Sequence, residues 1–447
     1  VKLLVANRGA IARRIVRACS ELGIDSVVVY AEPDAHAPYV AEATQAFALP
    51  GQRAADTYLN QELLLQIART AGAHAVHPGY GFLAENAAFA AQVIEQGMLF
   101  VGPAPHWLRT MGDKVNARKL MAEHGFPVFA GSEVITNVQS AIDAAERIGF
   151  PVLVKPTGGG GGLGMEVVRQ ADSARLEEVI QRAAQVAQNA FGSAAVYLEK
   201  YIERPRHIEF QILADSHGQC VHLFERECSV QRRNQKLIEE SPAPGLDPLV
   251  ISRTADLAAE ICGAIGYDSA GTVETLFTQE NQVGFLEMNT RIQVEHGVTE
   301  LVTGIDLVQA QIRLAGGAHL NEVIGIGIGE SATSSGYAME VRLYAEDSKT
   351  LLPSTGRLNV FRPPTLTGVR IETGYAEGQT VTPYYDPLLA KILAHGSTRE
   401  MAIGRLVVAL RAFAVQGVTT NADLLTRVLG SELFLAGRLD TDLLRRI

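Results

Sequence analysis

The 447-residue sequence predicts an α/β and α+β protein. It has a doubly wound parallel-sheet domain at the N-terminus, a small lid subdomain built around a glycine loop, and an antiparallel-sheet domain toward the C-terminus. Three observations carry this. Apolar strand-like runs alternate with helical patterns over the first hundred residues or so. Five consecutive glycines, Gly158 to Gly162, stand between two β-branched runs. Beyond Arg206 the strand-like runs read as antiparallel neighbours.

In order along the chain, residues 1–6 read as a buried strand, Asn7-Arg8-Gly9 as a turn and 10–22 as a helix stopped by Gly23. A strand at 26–30, a helix at 59–71, a strand at 75–77, a helix at 84–96 and a strand at 99–102 complete the first unit. A helical connector at 112–125 carries Lys114. Strands at 152–155 and 165–169 flank the glycines, followed by a helix around 171–190 and a strand at 196–199. Strands are expected at 207–214, 220–227, 271–278 and 283–289. Residues 331–335 are a small-residue joint, followed by strands at 337–345 and 368–373, the PYYDP turn and helices to Ile447. The expected division is 1–112, a connector at 113–130, a lid at 131–203, a third part at 204–332 and a C-terminal subdomain at 333–447.

Composition narrows the function. The chain carries 39 basic and 49 acidic residues, a net charge of −10, and is 47% hydrophobic and 20% charged. That is a folded composition, and its acidity argues against a general nucleic-acid or membrane-surface binder. No apolar run approaches the ~18 residues of a membrane span, and the N-terminus lacks a signal-peptide pattern. A start at Val1 suggests a short loss or a piece of a longer polypeptide. The four cysteines show no CxxC spacing and read as reduced thiols of a cytoplasmic protein.

The segment VKPTGGGGGLGM is the strongest local signal. A glycine run is costly to order, and its benefit is close approach of backbone N–H groups to phosphate oxygens. Gly159, Gly161 and Gly164 also match GxGxxG, but between two strands, where a dinucleotide site needs a strand and then a helix. No GK[ST] follows. The segment therefore reads as a hairpin lid over a triphosphate, with Lys155 on the entering strand; a ligand-free linker is the alternative. Gly9 is read as a turn requirement.

Glu274 lies in GTVETLF; Glu287 and Asn289 lie in FLEMN and share a face by strand period. Two carboxylates and an amide suit Mg²⁺ or Mn²⁺ held together with nucleotide phosphates; a pair of solvated strand positions is the alternative. TRIQVEHGVTE follows, with Arg291, Gln293, Val294, Glu295 and His296. RECSVQRRNQK holds Arg226, Glu227, Arg232, Arg233, Asn234 and Lys236. Arg342, in MEVRLYAED, faces away from Val341 and Leu343. Several cations with few neighbouring acids are expected to form an anion pocket. The histidines show no HxH or HExxH grouping, which argues against zinc, and His74, His77, His106 and His124 read as structural. No GxSxG occurs.

With these segments in view, the chain resembles the biotin carboxylases of the ATP-grasp superfamily over essentially its whole length. The resemblance rests on ANRG, HPGYGFLAEN, MGDK, VKPTGGGGGLGM, EKYIERPRHIEFQ, ERECSVQRRNQK, GTVETLF, FLEMNTRIQVEH, EVRLYAED and PYYDPLLAK, in that order. It implies an ATP site lined by Lys114, Lys155, Gly160, Gly161, Gly162, Glu199, Lys200, His207, Gln231, Asn234 and Leu276. It implies Mg²⁺ on Glu274, Glu287 and Asn289, and bicarbonate on Lys236, Arg291, Gln293 and Val294. Glu295 is implied as general base and Arg342 as stabiliser of the biotin enolate. The implied reaction makes carboxyphosphate from bicarbonate and ATP, then carboxylates biotin. Tyr80 and Gly81 are assigned no chemistry.

Four positions depart from the family's commonest pattern: Ala10 in place of an acid, Leu163 in place of a basic lid residue, Asn234 in place of a histidine and Gly297 in place of a proline. The first bears on the dimer contact or the start of the N-terminal helix. Leu163 together with QRRNQK looks like the urea carboxylase branch. Two other readings stand beside the active enzyme: a catalytically impaired ATP-binding subunit, and another ATP-grasp carboxylate ligase such as a carbamoyl-phosphate synthetase relative. The sequence contains no Met-Lys-Met biotin-attachment site. The resemblance therefore implies a biotin carboxyl carrier and a carboxyltransferase as partners, on other subunits or on the same polypeptide. It also implies a homodimer, and a final acceptor that is urea or another small amide, or else an acyl-CoA.

Overall fold

Alternation of apolar residues builds the first sheet. In the computed structural model, which describes residues 1–158, 162–327, 331–347, 349–350 and 352–447, strands β1 (Lys2–Val5), β2 (Asp25–Ala31), β3 (Gln45–Leu49), β4 (Ala75–His77) and β5 (Leu99–Phe100) pair in parallel. Their order is β3-β2-β1-β4-β5. Leu3, Val5 and Val28 pack on Ile11 and Ile15 of the helix Gly9–Glu21. Leu4, Val27 and Val29 point the other way, onto the helices Gln61–Ala71 and Ala87–Glu95. The sheet is thus covered on both faces, as a doubly wound unit requires. The two helices expected at 59 and 84 start later because Asn60 and Asn86 cap them, accepting from the N–H of Leu63 and Phe89. The 112–125 connector breaks at Asp113, which caps Lys114–Glu123 after the helix Pro105–Gly112. Strand β3 was not expected; it lies at the edge of the sheet, and four of its five residues are exposed or half-buried.

The lid is an antiparallel sheet, β7-β6-β8, of β6 (Val152–Pro156), β7 (Glu166–Val168) and β8 (Val196–Lys200). Val152, Val154, Val196 and Leu198 pack on the helices Val138–Ile148 and Ser173–Phe191. The glycine loop joins β6 to β7 as a hairpin, as expected. Gly160 and Gly161 lie outside the described residues.

The largest sheet has eight strands in the order β13-β12-β9-β10-β11-β14-β19-β17. They are β9 (Arg206–Ala214), β10 (Cys220–Arg232), β11 (Gln235–Ser241), β12 (Ala270–Phe277), β13 (Val283–Asn289), β14 (Tyr337–Tyr344), β17 (Val369–Glu372) and β19 (Leu388–Gly396), with every neighbouring pair antiparallel. Two ribbons, β15 (Gly356–Arg357) with β18 (Thr380–Val381) and β16 (Val360–Arg362) with β20 (Ala414–Gln416), flank it. Strand β11 was not expected. It follows β10 through a two-residue turn in which Arg233 and Asn234 both take positive φ, 48° and 66°. Such hairpins favour Asn. Because β11 pairs with β14, Ile238 opposite Val341, the sheet runs across the joint at 331–335. The four cysteines are free thiols.

Candidate active site

The site is assembled on one sheet and one lid. In the lid, the strand period turns Lys155, Tyr197 and Glu199 away from the apolar core. Lys155 Nζ meets Glu199 Oε2 at 2.8 Å; Tyr197 donates to Glu199 Oε1 at 2.9 Å, and Arg118 Nη1 lies 3.1 Å from the same oxygen. Burial pushes the Glu199 carboxyl up, but Lys155 and Arg118 outweigh it and hold it below the usual range. Lys200 does not join this group. As the next residue along β8 it points the other way, and its ammonium donates to the carbonyls of Gly149 and Phe150 at 2.9 Å. The expected cationic set therefore loses Lys200's side chain.

On the eight-stranded sheet, Glu274 and Glu287 are direct cross-strand partners, and Asn289 lies opposite Thr272. Like charges directly opposite need a counter-cation. Lys114 Nζ lies 3.1 Å from Glu287 Oε2. Glu274 receives Lys236 Nζ at 3.0 Å, Asn289 Nδ2 at 2.8 Å and Gln293 Nε2 at 3.1 Å on one oxygen, and His207 Nε2 lies 2.9 Å from the other. The two carboxylates and the amide oxygen form an oxygen-only donor set that fits Mg²⁺ or Mn²⁺. Gln231 reaches His207 at 3.4 Å, and Leu276 is His207's partner across β12 and β9. Arg291 donates to Asn289 Oδ1 at 3.0 Å and to Gln293 Oε1 at 3.1 Å.

Glu295 stands at the start of the helix His296–Thr303 but caps nothing with its side chain. Its Oε1 instead accepts from Lys236 Nζ at 2.6 Å, and its Oε2 from Arg342 Nη2 at 2.8 Å. Burial alone would raise this carboxyl; Lys236, Arg342 and Arg226 outweigh burial and hold it well below the carboxylate range. Conversely, burial would lower Lys236, yet Glu209, Glu274 and Glu295 keep it firmly protonated.

The expectation of cations with few neighbouring acids is wrong. Lys236 touches three carboxylates, Glu209 at 2.6 Å besides Glu274 and Glu295. Arg342 touches Glu239 at 2.6 Å as well as Glu295, Arg226 touches Glu209 at 2.5 Å, and Arg291 touches Glu85 at 3.1 Å. Burying these cations required acids from strands that sequence order does not place beside them. Glu209 and Glu239 were therefore missed, and so were two cations, Arg118 on the helix Lys114–Glu123 and Lys391 on β19, whose Nζ donates to the Val294 carbonyl at 2.6 Å. One signal was available. His207, Glu209 and Gln211 alternate with apolar residues along β9, and all are buried.

Two departures find local reasons. A Cβ at Gly162 would overlap the Asn234 amide, so the lid glycine and the β10–β11 turn are in close contact. At Gly297 a Cβ would overlap Arg370 and Leu393. A second buried group, His296, Glu300 and Glu372, has metal-like spacing, but Arg14, Arg370 and Lys391 already occupy its acids. Among the described residues no helix is long and apolar enough to cross a membrane.

Family models match in chain order: "Biotin carboxylase, N-terminal domain" over residues 1–108, "Carbamoyl-phosphate synthase L chain, ATP binding domain" over 113–323 and "Biotin carboxylase C-terminal domain" over 340–446. Biotin carboxylase 2 of Bacillus subtilis is 45% identical over 446 residues, spanning 100% of this chain and 99% of that protein. The biotin carboxylase of Haemophilus influenzae is 45% identical over 438 residues, spanning 98% of this chain and 96% of that one. The crystal structure of the biotin carboxylase domain dimer of Hydrogenobacter thermophilus 2-oxoglutarate carboxylase, in complex with MgADP, ADP and bicarbonate, superposes with a TM-score of 0.95 at 41% identity, covering 100% and 97% of the two chains. The chain therefore belongs to the biotin carboxylase family, ATP-dependent C–N ligases of the ATP-grasp fold that act with bicarbonate on biotin.

Proposed function

We propose that this chain carries out the biotin carboxylase half-reaction with Glu295 as base, Lys236 and Arg291 on bicarbonate, and Arg342 on the ureido oxygen of biotin. The observation that carries it is the pair of contacts on Glu295, one oxygen on Lys236 and one on Arg342. A carboxylate held so firmly anionic is a poor base while both oxygens are engaged. It becomes competent when bicarbonate draws Lys236 off Oε1, so the base is released where its substrate arrives. Gln293 and the Val294 main chain orient the anion. Lys114, Lys155, Glu199, His207, Gln231, Leu276 and the glycine lid with Asn234 hold ATP, and Lys200 lines that site by its main chain. Glu274, Glu287 and Asn289 would hold Mg²⁺, which supplies charge neutralisation during phosphoryl transfer. Lys155 and Lys236 would add positive charge for that transfer. Arg342 then stabilises negative charge on the ureido oxygen, an oxyanion-type role.

We propose that the chain is organised in five parts, 1–112, 113–130, 131–203, 204–332 and 333–447, the last two sharing one sheet through β11 and β14. We further propose a cytoplasmic homodimer served by a carrier domain and a carboxyltransferase; the Hydrogenobacter relative, described as a dimer, supports the first. For the acceptor, Leu163 together with Asn234, which resemble the urea carboxylase branch, favour a urea-type amide, with an acyl-CoA next. The test of the reaction is bicarbonate-dependent ATP cleavage stimulated by free biotin. A folded sample showing no stimulation refutes it and leaves an impaired ATP-binding subunit. The acceptor is tested by supplying carrier and transferase with urea or acyl-CoA.

A further inference from the structure

Behind Arg342 lies a pair of acids that the reaction above does not use. Glu239 on β11 and Glu340 on β14 are direct cross-strand partners. Their side chains leave the same face with β-carbons roughly 5 Å apart, and both residues are 0% exposed. Glu239 Oε1 accepts from Arg342 Nε at 2.6 Å, and Arg342 Nη2 lies 2.6 Å from the same oxygen. Glu239 Oε2 and both oxygens of Glu340 have no hydrogen-bond partner among the described residues.

The surrounding charges do not supply one. On β14 itself, Arg342 is shared between Glu239 and Glu295. On β19, Lys391 Nζ lies 3.8 Å from Glu340 but 2.7 Å from Glu372 of β17, and it donates to the Val294 carbonyl. Lys236, beyond Glu295, is taken by Glu209 and Glu274. From the helix above, His296 is held neutral by burial and by Lys391. Tyr80, from the HPGYGF loop, keeps its phenol proton because of burial and the acids around it. Four carboxyls, Glu239, Glu295, Glu340 and Glu372, therefore crowd Arg342 and Lys391. Two adjacent buried carboxylates cannot both ionise cheaply, and an ionised one without a donor is costlier still.

We propose that Glu239 and Glu340 hold a single proton between them and act as positioning residues that keep Arg342 fixed and net positive toward the biotin ureido oxygen. One proton, carried by one carboxyl and donated to the other, serves two of the three unpartnered oxygens and removes one negative charge from beside the guanidinium. Burial, opposed by Arg342, pushes Glu239 up to about 7. Burial, opposed by Lys391, pushes Glu340 well above the carboxylate range. The inference rests on Arg342 facing biotin as proposed above.

The test is bicarbonate-dependent ATP cleavage with and without free biotin, between about pH 6 and 9, in the wild type and in Glu340→Gln. In the wild type the biotin-stimulated rate falls toward high pH, as the shared proton leaves and a second negative charge appears beside Arg342. An amide cannot lose that proton, so Glu340→Gln moves this fall upward by about one pH unit or more, while the biotin-independent rate keeps the same profile in both proteins. An unmoved fall, or an equal shift of both rates, overturns the proposal.

Thermal unfolding provides a readout that does not need turnover. A carboxyl raised in the folded state favours folding at low pH, and that advantage is lost as pH rises toward its folded value. The midpoint of Glu340→Gln is therefore expected to gain on the wild type as pH rises, and a flat or reversed difference counts against the shared proton. Should Glu340→Gln not fold, Glu239→Gln, which leaves Arg342 bonded to Glu295, is expected to show the same upward shift, and an unmoved profile there is equally fatal. No biotin stimulation in the wild type overturns the reaction and this proposal together. Stimulation with an unmoved profile overturns the shared proton alone.

Discussion

The lid and the sheet beneath Glu295 are both laced with ion pairs, and the two sets differ in what water does to them. On the lid, Arg182 meets Glu166 at 3.0 Å and Arg175 meets Glu178 at 2.7 Å, with side chains 32–57% exposed. Under Glu295 the carboxylate is 1% exposed, and the cations on it, Lys236 and Arg342, are 12% and 9% exposed. Exposed pairs contribute little, because each partner is nearly as well off in water. A buried charge that loses its partner is strongly destabilised. The exposed pairs on the lid's surface can thus rearrange at little cost, whereas charge beneath Glu295 moves only when an incoming anion replaces what it displaces.

The sharpest way to break this contrast is Glu295→Ala. The protein is expected to fold, since Lys236 keeps Glu209 and Glu274 and Arg342 keeps Glu239. MgATP binding is expected to persist while bicarbonate-dependent turnover falls by about a hundredfold or more. Survival within about threefold, less than ~1 kcal/mol of barrier, removes Glu295 from the base role. Next is Arg342→Ala, expected to cut biotin carboxylation about tenfold more than bicarbonate-dependent ATP cleavage; equal losses contradict a role confined to biotin. A smaller effect is expected in acid. Glu295 is held below its unfolded value, so its contribution is complete above about pH 4.3 and is lost as pH falls through the folded value. Glu295→Gln should flatten the fall of the unfolding midpoint in acid relative to wild type, and parallel curves would show the pair adds no net stability. The smallest change is expected from Arg175→Ala on the lid. Its unfolding midpoint and turnover should match wild type, and a clear loss of either would mean that the exposed pairs do more than decorate the surface.

How much of this was legible depended on whether one strand or two were needed. The direction of Arg342 follows from the period of β14 alone, because Val341 and Leu343 enter the core. The glycine hairpin follows from two adjacent runs. Glu274 joining Asn289 required two strands to pair, and a short connection made that visible. Lys200 was open to correction from period alone, since consecutive residues on β8 cannot send both side chains to one face. What stayed hidden were the acids on Lys236 and Arg342. Glu209 and Glu239 sit 27 residues before Lys236 and 103 residues before Arg342. Alternation assigns a face, not a neighbour.

The run of the eight-stranded sheet across residues 331–335 has a consequence for anyone wishing to recombine such enzymes. The joint looks like a seam, but cutting there would strip β14 from β11 and leave Leu237 and Ile238 on an open edge, next to the row of donors and acceptors that other chains pair with. A fragment ending before the joint is expected to aggregate rather than to bind ATP. A chimera built from two relatives would have to exchange β14, β19 and β17 as one piece, together with whatever residue stands at 239. The functional unit of exchange is therefore the strand neighbourhood, and chain order is a poor guide to where such a protein can be divided.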